Sequence, residues 1–466
     1  MEIFEHPILH FERKNKITFF FEDNPIEAYP QETVAMALYR NGINVFSYSP
    51  KLHRPRGLFC AIGKCSSCLM EVNGIPNVRT CILNVQEGMR VKRQNGLGDL
   101  PKTTEFLKSE NEYYPTVLVI GSGPAGLMAS ITLKEKGVDV LLIEQNPNLG
   151  GQLIKQTHKF FGSQKEKAGT RGIEIANALV KELNSLHVDY FTNTTLFAFY
   201  PKENVFLAFK DNELLKIFPK FVVFATGASE KMIPFEGNDL PNVMGAGAAQ
   251  TLVNVYGIKV GTNVLMVGAG NVGLIVSYQL LQAGINVKAV VEASDKIGGY
   301  FVHAAKLTRF GVPIYTRTTI KKAVGTDKVE KAILVELDEN FNETSKEFEI
   351  DVDAILLSVG LQPSYQLLAQ AGCEMKYIPS LGGYVPLRSN ELETSVKNFY
   401  IAGDVGGIEE ASTAMLEGKL ASLSILEKLG FDVEKEKREL ELDLAKLRST
   451  PFSKKILQGL KEVTYE

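Results

Sequence analysis

The chain has 466 residues, of which 45% are hydrophobic and 23% charged, values typical of a globular enzyme with about three domains. Lys and Arg number 51 and Asp and Glu 54, for a formal net charge of −3, which argues against a nucleic-acid or anionic-membrane partner. The first residues lack the basic and apolar regions of a secretory signal, and no apolar run approaches the ~18 residues that span a bilayer. We therefore expect a cytoplasmic protein without a membrane span.

The first part of the chain, residues 1–98, predicts a small α+β module. Two apolar segments flank the turn signal at 23–25 and indicate a β-hairpin. A short helix follows and ends before Gly42. Residues 80–85 are predicted to form a strand.

This module carries four of the five cysteines in the chain, with the spacing C-x4-C-x2-C-x12-C. Three thiolates on one tight loop and a fourth a dozen residues later are the ligand pattern of plant-type [2Fe–2S] ferredoxins. A structural zinc site usually uses two separated cysteine pairs, and two disulfides would require an oxidising compartment. The spacing therefore predicts an iron–sulfur electron carrier, with the ligands Cys60, Cys65, Cys68 and Cys81.

A dinucleotide-binding fingerprint begins at residue 114. A buried strand runs into a G-x-G-x-x-G turn that opens a helix, and a second strand ends in an acidic residue 18 positions after the last glycine. The glycines allow the backbone to approach a pyrophosphate, the helix N-terminus supplies N–H groups for it, and the carboxylate can accept from ribose hydroxyls. The predicted nucleotide-binding residues here are Gly121, Gly123, Pro124, Ala125, Gly126 and Glu144.

The same pattern recurs about 147 residues later, so we predict two nucleotide-binding folds. At the end of its second strand the carboxylate, with Asp295 nearby, favours a ribose 2′-hydroxyl and disfavours a 2′-phosphate, which predicts NAD(H) over NADP(H). The predicted residues of this second site are Gly268, Gly270, Asn271, Val272, Gly273 and Glu292.

Three further segments link the two folds. Each is a buried strand followed by a small-residue turn: one before Thr226 and Gly227, one over 353–363, and one before Gly403 and Asp404. Together with the fingerprints they resemble the two-dinucleotide-binding-domain flavoproteins, the superfamily of thioredoxin reductase and NADH oxidases. The resemblance implies FAD in the first fold, NAD(P) in the second, and a flavin contact from Asp404. We also assign Gly151 and Gln152 to the nucleotide site.

The predicted architecture is therefore α/β, with two Rossmann-like domains preceded by a ferredoxin-like α+β domain. The predicted boundaries are 1–98 for the ferredoxin-like domain, 99–113 for a linker, 114–240 and 366–431 for the FAD-binding domain, 241–365 for the NAD(P)-type domain and 432–466 for a helical tail. The leucine stripe of the tail favours packing on its own domain over binding a partner.

The disulfide reductases of this superfamily carry a redox-active cysteine pair, and this chain has none after Gly150. Lone Cys373 is better explained as a small buried residue. His158 and His303 are acid–base candidates by residue type alone, and the lysines at 155 and 159 fit a solvated helix face as well as an anion contact. The sequence therefore identifies no catalytic side chain.

The run 51–57 before the first cysteine resembles the amino-terminal region of the α subunit of sarcosine oxidase. It also resembles the ferredoxin-like subunits of opine, proline and hydroxyproline dehydrogenases and hydrogen cyanide synthase. The resemblance implies a separate FAD-containing β subunit of the glycine-oxidase type, a further small electron-transfer subunit, and FMN at a subunit interface. This chain lacks the family's second cysteine cluster and folate domain. The implied substrate is an amino acid or secondary amine of the proline, sarcosine or opine type, or glycerol phosphate.

Two alternatives remain open from the sequence. The complete second fingerprint is also compatible with a stand-alone NADH:acceptor oxidoreductase, or diaphorase. One of the two folds could instead hold a structural nucleotide such as ADP or ATP.

Overall fold

The structure is a computed structural model that describes residues 1–13, 15–94, 96–98, 110–159, 165, 167–210, 213–450 and 453–465. Its chain forms two compact units. Unit 1 contains Met1–Lys102 and Glu230–Gly360, and unit 2 contains Thr103–Ser229 and Leu361–Glu466. Each unit is therefore assembled from two separate stretches of the chain.

The elements follow one another in four groups. The N-terminal module contains β1 (Ile17–Phe21), β2 (Asn24–Ala28), α1 (Val34–Arg40), β3 (Ser47–Tyr48), β4 (Pro55–Arg56), β5 (Leu69–Val72), β6 (Ile75–Arg79) and β7 (Arg90–Arg93). The next group contains β8 (Glu110–Tyr113), β9 (Val117–Ile120), α2 (Pro124–Glu135), β10 (Val140–Ile143), α3 (Gly172–Ser185), β11 (Asp189–Phe191), β12 (Thr195–Tyr200), β13 (Val205–Lys210), β14 (Glu213–Ile217), β15 (Phe221–Phe224) and β16 (Ala228–Glu230).

The third group contains β17 (Val243–Gly245), α4 (Ala246–Asn254), β18 (Asn263–Val267), α5 (Asn271–Gln282), β19 (Asn286–Val291), α6 (Phe301–Arg309), β20 (Ile314–Tyr315), β21 (Thr318–Val324), β22 (Lys331–Leu337), β23 (Glu343–Asp351) and β24 (Ala354–Leu357). The last group contains β25 (Leu361–Pro363), α7 (Gln366–Gln370), β26 (Met375–Ile378), β27 (Gly383–Pro386), β28 (Arg388–Ser389), β29 (Phe399–Ile401), α8 (Ala411–Lys428), α9 (Glu434–Leu447), α10 (Lys454–Val463) and β30 (Thr464–Tyr465).

Unit 2 is built on a five-stranded parallel sheet with the order β11-β10-β9-β15-β29. The strands β9, β10 and β15 are buried along their whole length, as expected for a sheet covered on both faces by helices. The order places the first strand of the fingerprint in the middle, so that its carboxyl end and the N-terminus of α2 form the crevice of a doubly wound fold.

Unit 1 contains a second parallel sheet with the order β17-β24-β18-β19-β20. The N-terminal module forms its own sheet, β2-β1-β7-β5-β6, with the helix α1 buried throughout. One continuous hydrophobic core contains residues from both, including Met36 and Leu38 of α1 and Met266 of β18. The module is therefore part of the second nucleotide fold and does not have a separate core.

Polar contacts reinforce that shared core. The buried Tyr39 hydroxyl lies 2.7 Å from the Val260 carbonyl oxygen and 3.0 Å from Asn242 Oδ1. The backbone N–H of Gly245 donates to the carbonyl of Phe59 at 3.0 Å. Local sequence patterns do not reveal this joint core, because its members lie about 200 residues apart in the chain.

Three predicted elements can be compared with the structure. Residues 80–85 are not a strand: the Thr80 N–H and hydroxyl both donate to the Cys68 carbonyl, and Ile82 N–H closes a turn on Arg79. Residues 99–109 of the predicted linker lie outside the described residues, and its last four form β8, which pairs with β14. The helix α9 does pack on its own unit, with Leu440 and Leu444 in the core. No helix among the described residues is long and apolar enough to cross a bilayer.

Candidate cluster and dinucleotide sites

The four predicted cluster ligands come together in unit 1. Cys60, Cys68 and Cys81 are buried and Cys65 is half-buried, and all four are free thiols. The Cys60 thiol is hydrogen-bonded to Cys65 and to Cys81, and the Cys68 thiol is hydrogen-bonded to Cys81. These four thiolates would together hold a dinuclear cluster, whose full ligand set is four cysteines.

The loop also turns backbone donors towards the sulfur atoms. Gly63 N–H donates to Cys81 Sγ at 3.3 Å and Lys64 N–H to Cys60 Sγ at 3.4 Å. Hydrogen bonds from Cys65, from Cys81 and from the backbone lower the pKa of the Cys60 thiol far below its usual range. Thiolates are the form that binds iron, and N–H donors to the sulfurs stabilise it.

Backbone conformation explains why the loop needs small residues. Ala61, Gly63 and Ser66 all have positive φ angles, of 52°, 72° and 63°. A Cβ on Gly63 would also lie 2.9 Å from Ile82 Cδ1, so a larger residue there would strain the backbone and displace that side chain. The donor set and the loop thus fit a [2Fe–2S] cluster, although no three His, Cys, Asp or Glu side chains of the described residues converge on a single ion.

The first dinucleotide site lies at the turn between β9 and α2. A Cβ on Gly121 would meet the Ala225 carbonyl at 2.4 Å, and one on Gly126 would meet the Gly121 carbonyl at 1.8 Å, so both glycines permit close backbone packing. A Cβ on Gly123 would meet nothing within 4 Å, and Pro124 is the first residue of α2. The open space at this helix N-terminus is where a pyrophosphate would bind.

The second site repeats this geometry closely. A Cβ on Gly268 would meet the Ser358 carbonyl at 2.2 Å, and a Cβ on Gly273 would meet the Gly268 carbonyl at 2.1 Å. A Cβ on Gly270 would again meet nothing within 4 Å. Asn271 Oδ1 accepts from Tyr300 N–H at 2.8 Å and so fixes the loop that follows β19. The two predicted fingerprints therefore form two turns with matching glycine geometry, one in each unit.

The two acidic residues of the fingerprints differ in how many donors they already bind. The Glu144 carboxylate is buried and accepts four hydrogen bonds, from the N–H and hydroxyl of Ser122 at 2.9 and 2.6 Å and from the N–H and amide of Asn146 at 2.8 Å each. The half-buried Glu292 accepts only two, from Ala269 N–H at 2.9 Å and Ser294 N–H at 3.0 Å. A carboxylate has about four acceptor positions, so Glu292 retains more open positions for ribose hydroxyls than Glu144 does.

The Gly403–Asp404 turn lies beside the first site and belongs to the second stretch of unit 2. Gly403 has a φ of 77°, and its N–H donates to Glu417 Oε2 at 2.9 Å. Burial, together with the nearby carboxylates of Glu417 and Glu409, raises the pKa of Asp404 to about 7. Thr226 and Gly227 lie on the adjoining turn, where they exchange hydrogen bonds with Ser364.

A buried ion network lies directly behind that turn, and the sequence did not predict it. Arg448, the residue after α9, pairs with Glu409 at 2.6 and 3.0 Å and with Glu417 at 2.6 Å. Arg388 lies 3.5 Å from the same Glu417 oxygen. These residues are 8 to 60 positions apart in the chain, without any periodic pattern that could have linked them.

Three other predicted residues lie in or beside the two turns. Gln152 and Val272 are exposed, and Gly151 packs against Gly123, where a Cβ would lie 2.6 Å from its Cα. Of the two alternatives for Lys155, the solvated helix face is wrong, because the residue is 6% exposed.

The lone cysteine and one of the two candidate histidines are buried. Cys373 lies in the core of unit 2, where burial raises the pKa of its thiol and disfavours a reactive thiolate. His303 is also buried, which lowers the pKa of its imidazole. Neither environment suggests a redox or acid–base role.

The family of the chain follows from comparison with known sequences. Residues 115–418 match the pyridine nucleotide-disulphide oxidoreductase family and residues 14–96 match a 2Fe-2S iron-sulfur cluster binding domain. The chain therefore belongs to the pyridine nucleotide-disulphide oxidoreductase family, as an FAD- and 2Fe–2S-type oxidoreductase with a fused cluster domain.

More specific relatives agree with the resemblance found in the sequence. The alpha subunit of sarcosine oxidase from Corynebacterium sp. (strain U-96) is 26% identical over 90% of this chain and 44% of its own length. An opine oxidase subunit from Rhizobium meliloti (strain 1021) is 28% identical over 68% of this chain and 72% of its own length. This chain thus spans less than half of the sarcosine oxidase polypeptide that it matches.

Solved structures give the same picture. L-proline dehydrogenase from P. horikoshii is similar over 95% of this chain and 79% of its own, with a TM-score of 0.71 and 26% identity. Thioredoxin reductase from T. acidophilum covers 68% of this chain and 99% of its own, with a TM-score of 0.55 and 19% identity, and so shows the fold alone.

Proposed function

We propose that this chain is the electron-transferring subunit of a hetero-oligomeric dehydrogenase whose partner oxidises an amino acid or secondary amine. The observation that carries the proposal is the shared core of unit 1, which builds the four-cysteine loop into the same folded body as a complete dinucleotide site. A ligand set for a one-electron centre is thereby joined to a site for a two-electron carrier. No cysteine pair, histidine or carboxylate in the described parts of either nucleotide turn has the environment of a substrate-oxidising group.

The residues of each site have separate tasks in this scheme. Bound flavin and nicotinamide exchange hydride, and an iron–sulfur cluster accepts single electrons. The turn at Gly123 and the Gly403–Asp404 segment would bind FAD, and the turn at Gly270 with Glu292 would bind NAD(H). The four cysteines would hold the cluster, and the amides of Gly63 and Lys64 would stabilise its negative charge.

The cluster assignment is tested by composition and spectroscopy. Anaerobically purified protein should contain two iron atoms per chain, show flavin bands with broad iron–sulfur absorbance, and give a rhombic EPR signal when reduced. Cys65→Ser should shift or abolish that signal and leave FAD bound, because Cys65 lies in unit 1 and the flavin turn lies in unit 2. The matched control is Cys373→Ser, which should keep the signal; zinc in place of iron would contradict the assignment.

Nucleotide preference tests the second site. Because Glu292 retains free acceptor positions for a ribose diol and its carboxylate repels a 2′-phosphate, NADH should reduce the flavin faster than NADPH at equal concentration. Glu292→Gln should narrow that difference. Equal or faster reduction by NADPH in the wild-type protein would overturn the NAD(H) assignment.

The partner is the subject of the decisive experiment. We propose that the electron donor is a glycine-oxidase-like FAD subunit, with proline, sarcosine or opine-type compounds as substrates; glycerol phosphate lacks support from these relatives. The isolated chain should reduce dyes with NADH and should not oxidise these amines. Coexpression with an adjacent flavoprotein reading frame should yield a stable complex with amine dehydrogenase activity. Amine oxidation by the isolated chain at an enzymatic rate would disprove the proposal and favour a self-contained enzyme.

A further inference from the structure

A cavity of about 350 Å³ lies in unit 2, away from the two phosphate turns. Its walls come from β28, α8 and the two C-terminal helices α9 and α10. The described residues that line it fall into two classes, one charged or polar and one apolar. The first class consists of Arg388, Ser389, Asn390, Glu417, Arg448, Lys461 and Thr464, and the second of Leu392, Leu420, Leu444, Leu457 and Leu460.

The unusual feature of this cavity is Arg388. Its residue is only 3% exposed, and its Nη1 nitrogen has no hydrogen-bond partner. The absence of a side chain at Gly406 makes room for the guanidinium, because a Cβ there would lie 2.6 Å from Nη1. An arginine cannot release its proton in a protein, so its charge must be compensated, and a buried unpaired donor is costly.

The protein compensates Arg388 only in part. Its nearest carboxylate oxygen, Glu417 Oε1, is 3.5 Å from Nη1 and is held more closely by Arg448 at 2.6 Å. Arg448 is in turn bound to Glu409. Three cations and one carboxylate line the cavity, so an excess of positive charge surrounds the space in front of Arg388.

We propose that this cavity binds a small monocarboxylate with an apolar body, and that the ligand's carboxylate pairs with Arg388. A guanidinium matches a carboxylate in a planar, two-pronged geometry. The leucines would surround the apolar part, in keeping with pockets that combine apolar walls with a few polar groups. The wall carboxylate of Glu417 disfavours a dianion such as phosphate, which selects a singly charged ligand.

The test uses the full chain and hexanoate as the probe, with binding followed by isothermal titration calorimetry and by the thermal unfolding midpoint. Hexanoate should bind saturably and raise the midpoint. Acetate, which lacks the apolar body, and hexanol, which lacks the charge, should each bind at least tenfold more weakly, and inorganic phosphate should not compete. Absence of hexanoate binding, hexanol binding as tightly as hexanoate, or phosphate binding more tightly would each overturn the proposal.

Two variants and a matched control locate the site. Arg388→Gln should abolish hexanoate binding while the ligand-free protein unfolds at the same or a higher temperature, because an undercompensated buried charge is removed. Lys461→Glu changes an exposed residue at the rim and should weaken binding several-fold even if the first variant does not fold. Lys455 lies on the same helix α10, is exposed and does not line the cavity. The control variant Lys455→Glu should therefore bind hexanoate as tightly as the wild-type protein. Unchanged binding in Lys461→Glu, or equal loss in both lysine variants, would refute this location.

Discussion

The shared core of unit 1 leads to the prediction that the cluster module and the second nucleotide fold unfold together. Tyr39→Phe is the sharpest perturbation, because it removes one hydroxyl and keeps the ring. That hydroxyl is buried between the Val260 carbonyl and the Asn242 side chain. It is a direct polar link between α1 of the module and the second fold.

The magnitude follows from the contacts. A hydroxyl has one proton, so the substitution removes one donated hydrogen bond and leaves a buried acceptor unsatisfied, at a cost of about 1–3 kcal/mol. For a unit of 150–250 residues, 1 kcal/mol lowers the unfolding midpoint by about 2–4 °C. We therefore expect a decrease of about 2–12 °C for the transition of unit 1.

The assay compares two probes in one thermal scan. Loss of the visible absorbance of the cluster reports the module, and hydrogen exchange of peptides from β18 and β19 reports the second fold. The midpoint temperatures reported by the two probes should decrease by the same amount in Tyr39→Phe. The control is Tyr114→Phe in unit 2, whose residue is 67% exposed and whose hydroxyl bonds the exposed Glu112, and which should leave both unchanged.

The refuting result is a divergence of the two probes. If Tyr39→Phe bleached the cluster at a lower temperature while the peptides of the second fold kept their wild-type protection, the module would be an independent domain. The joint core would then contribute nothing to cooperativity.

Three further predictions concern unit 2. Gly123→Ala should abolish flavin retention without lowering the unfolding midpoint, because the added Cβ has free space in the protein but would occupy the expected phosphate position. Gly121→Ala should instead destabilise the fold, because its Cβ would clash with the Ala225 carbonyl. The stability of the ligand-free protein should fall as pH rises from about 4 to about 7, because folded Asp404 holds a proton that the unfolded chain has released. In Asp404→Asn, the free energy of unfolding measured with urea should change less with pH over that range. Buried Cys373 should react with a thiol reagent only after denaturant is added.

Local sequence patterns predicted the nucleotide folds well. Each fingerprint places glycines where the backbone must turn or approach closely, so the strand–turn–helix units follow from spacing alone. The sequence predicts a strand over 286–291, which is β19, and a helix over 125–136, which α2 matches one residue earlier. The four cysteines likewise come together as their spacing indicates. These features are encoded within about 30 residues, the length of one βαβ unit.

The features that the sequence did not predict depend on long-range contacts. The sequence predicts a strand at Cys81, yet the Thr80 hydroxyl donates a hydrogen bond to the Cys68 carbonyl and the chain turns there. The pairing of Arg388 and Arg448 with Glu417 depends on how α8 packs against α9. Nothing in the local sequence distinguishes Arg448, the residue after α9, from the exposed charged residues of that helix. Tertiary packing decided each of these positions.

The two acidic residues show how one motif can acquire two roles. Both end the second strand of a dinucleotide fold, and the motif assigns both to a ribose. Ser122 and Asn146 fill the acceptor positions of Glu144, whereas Ala269 and the backbone of residue 294 leave half of those of Glu292 open. A turn fixed by four hydrogen bonds is already rigid before any ligand binds, so a resident cofactor has little further ordering to impose on it. A turn with open acceptors gains hydrogen bonds only when a nucleotide arrives and loses them when it leaves. We therefore propose that the first site suits a retained flavin and the second a nicotinamide nucleotide that exchanges.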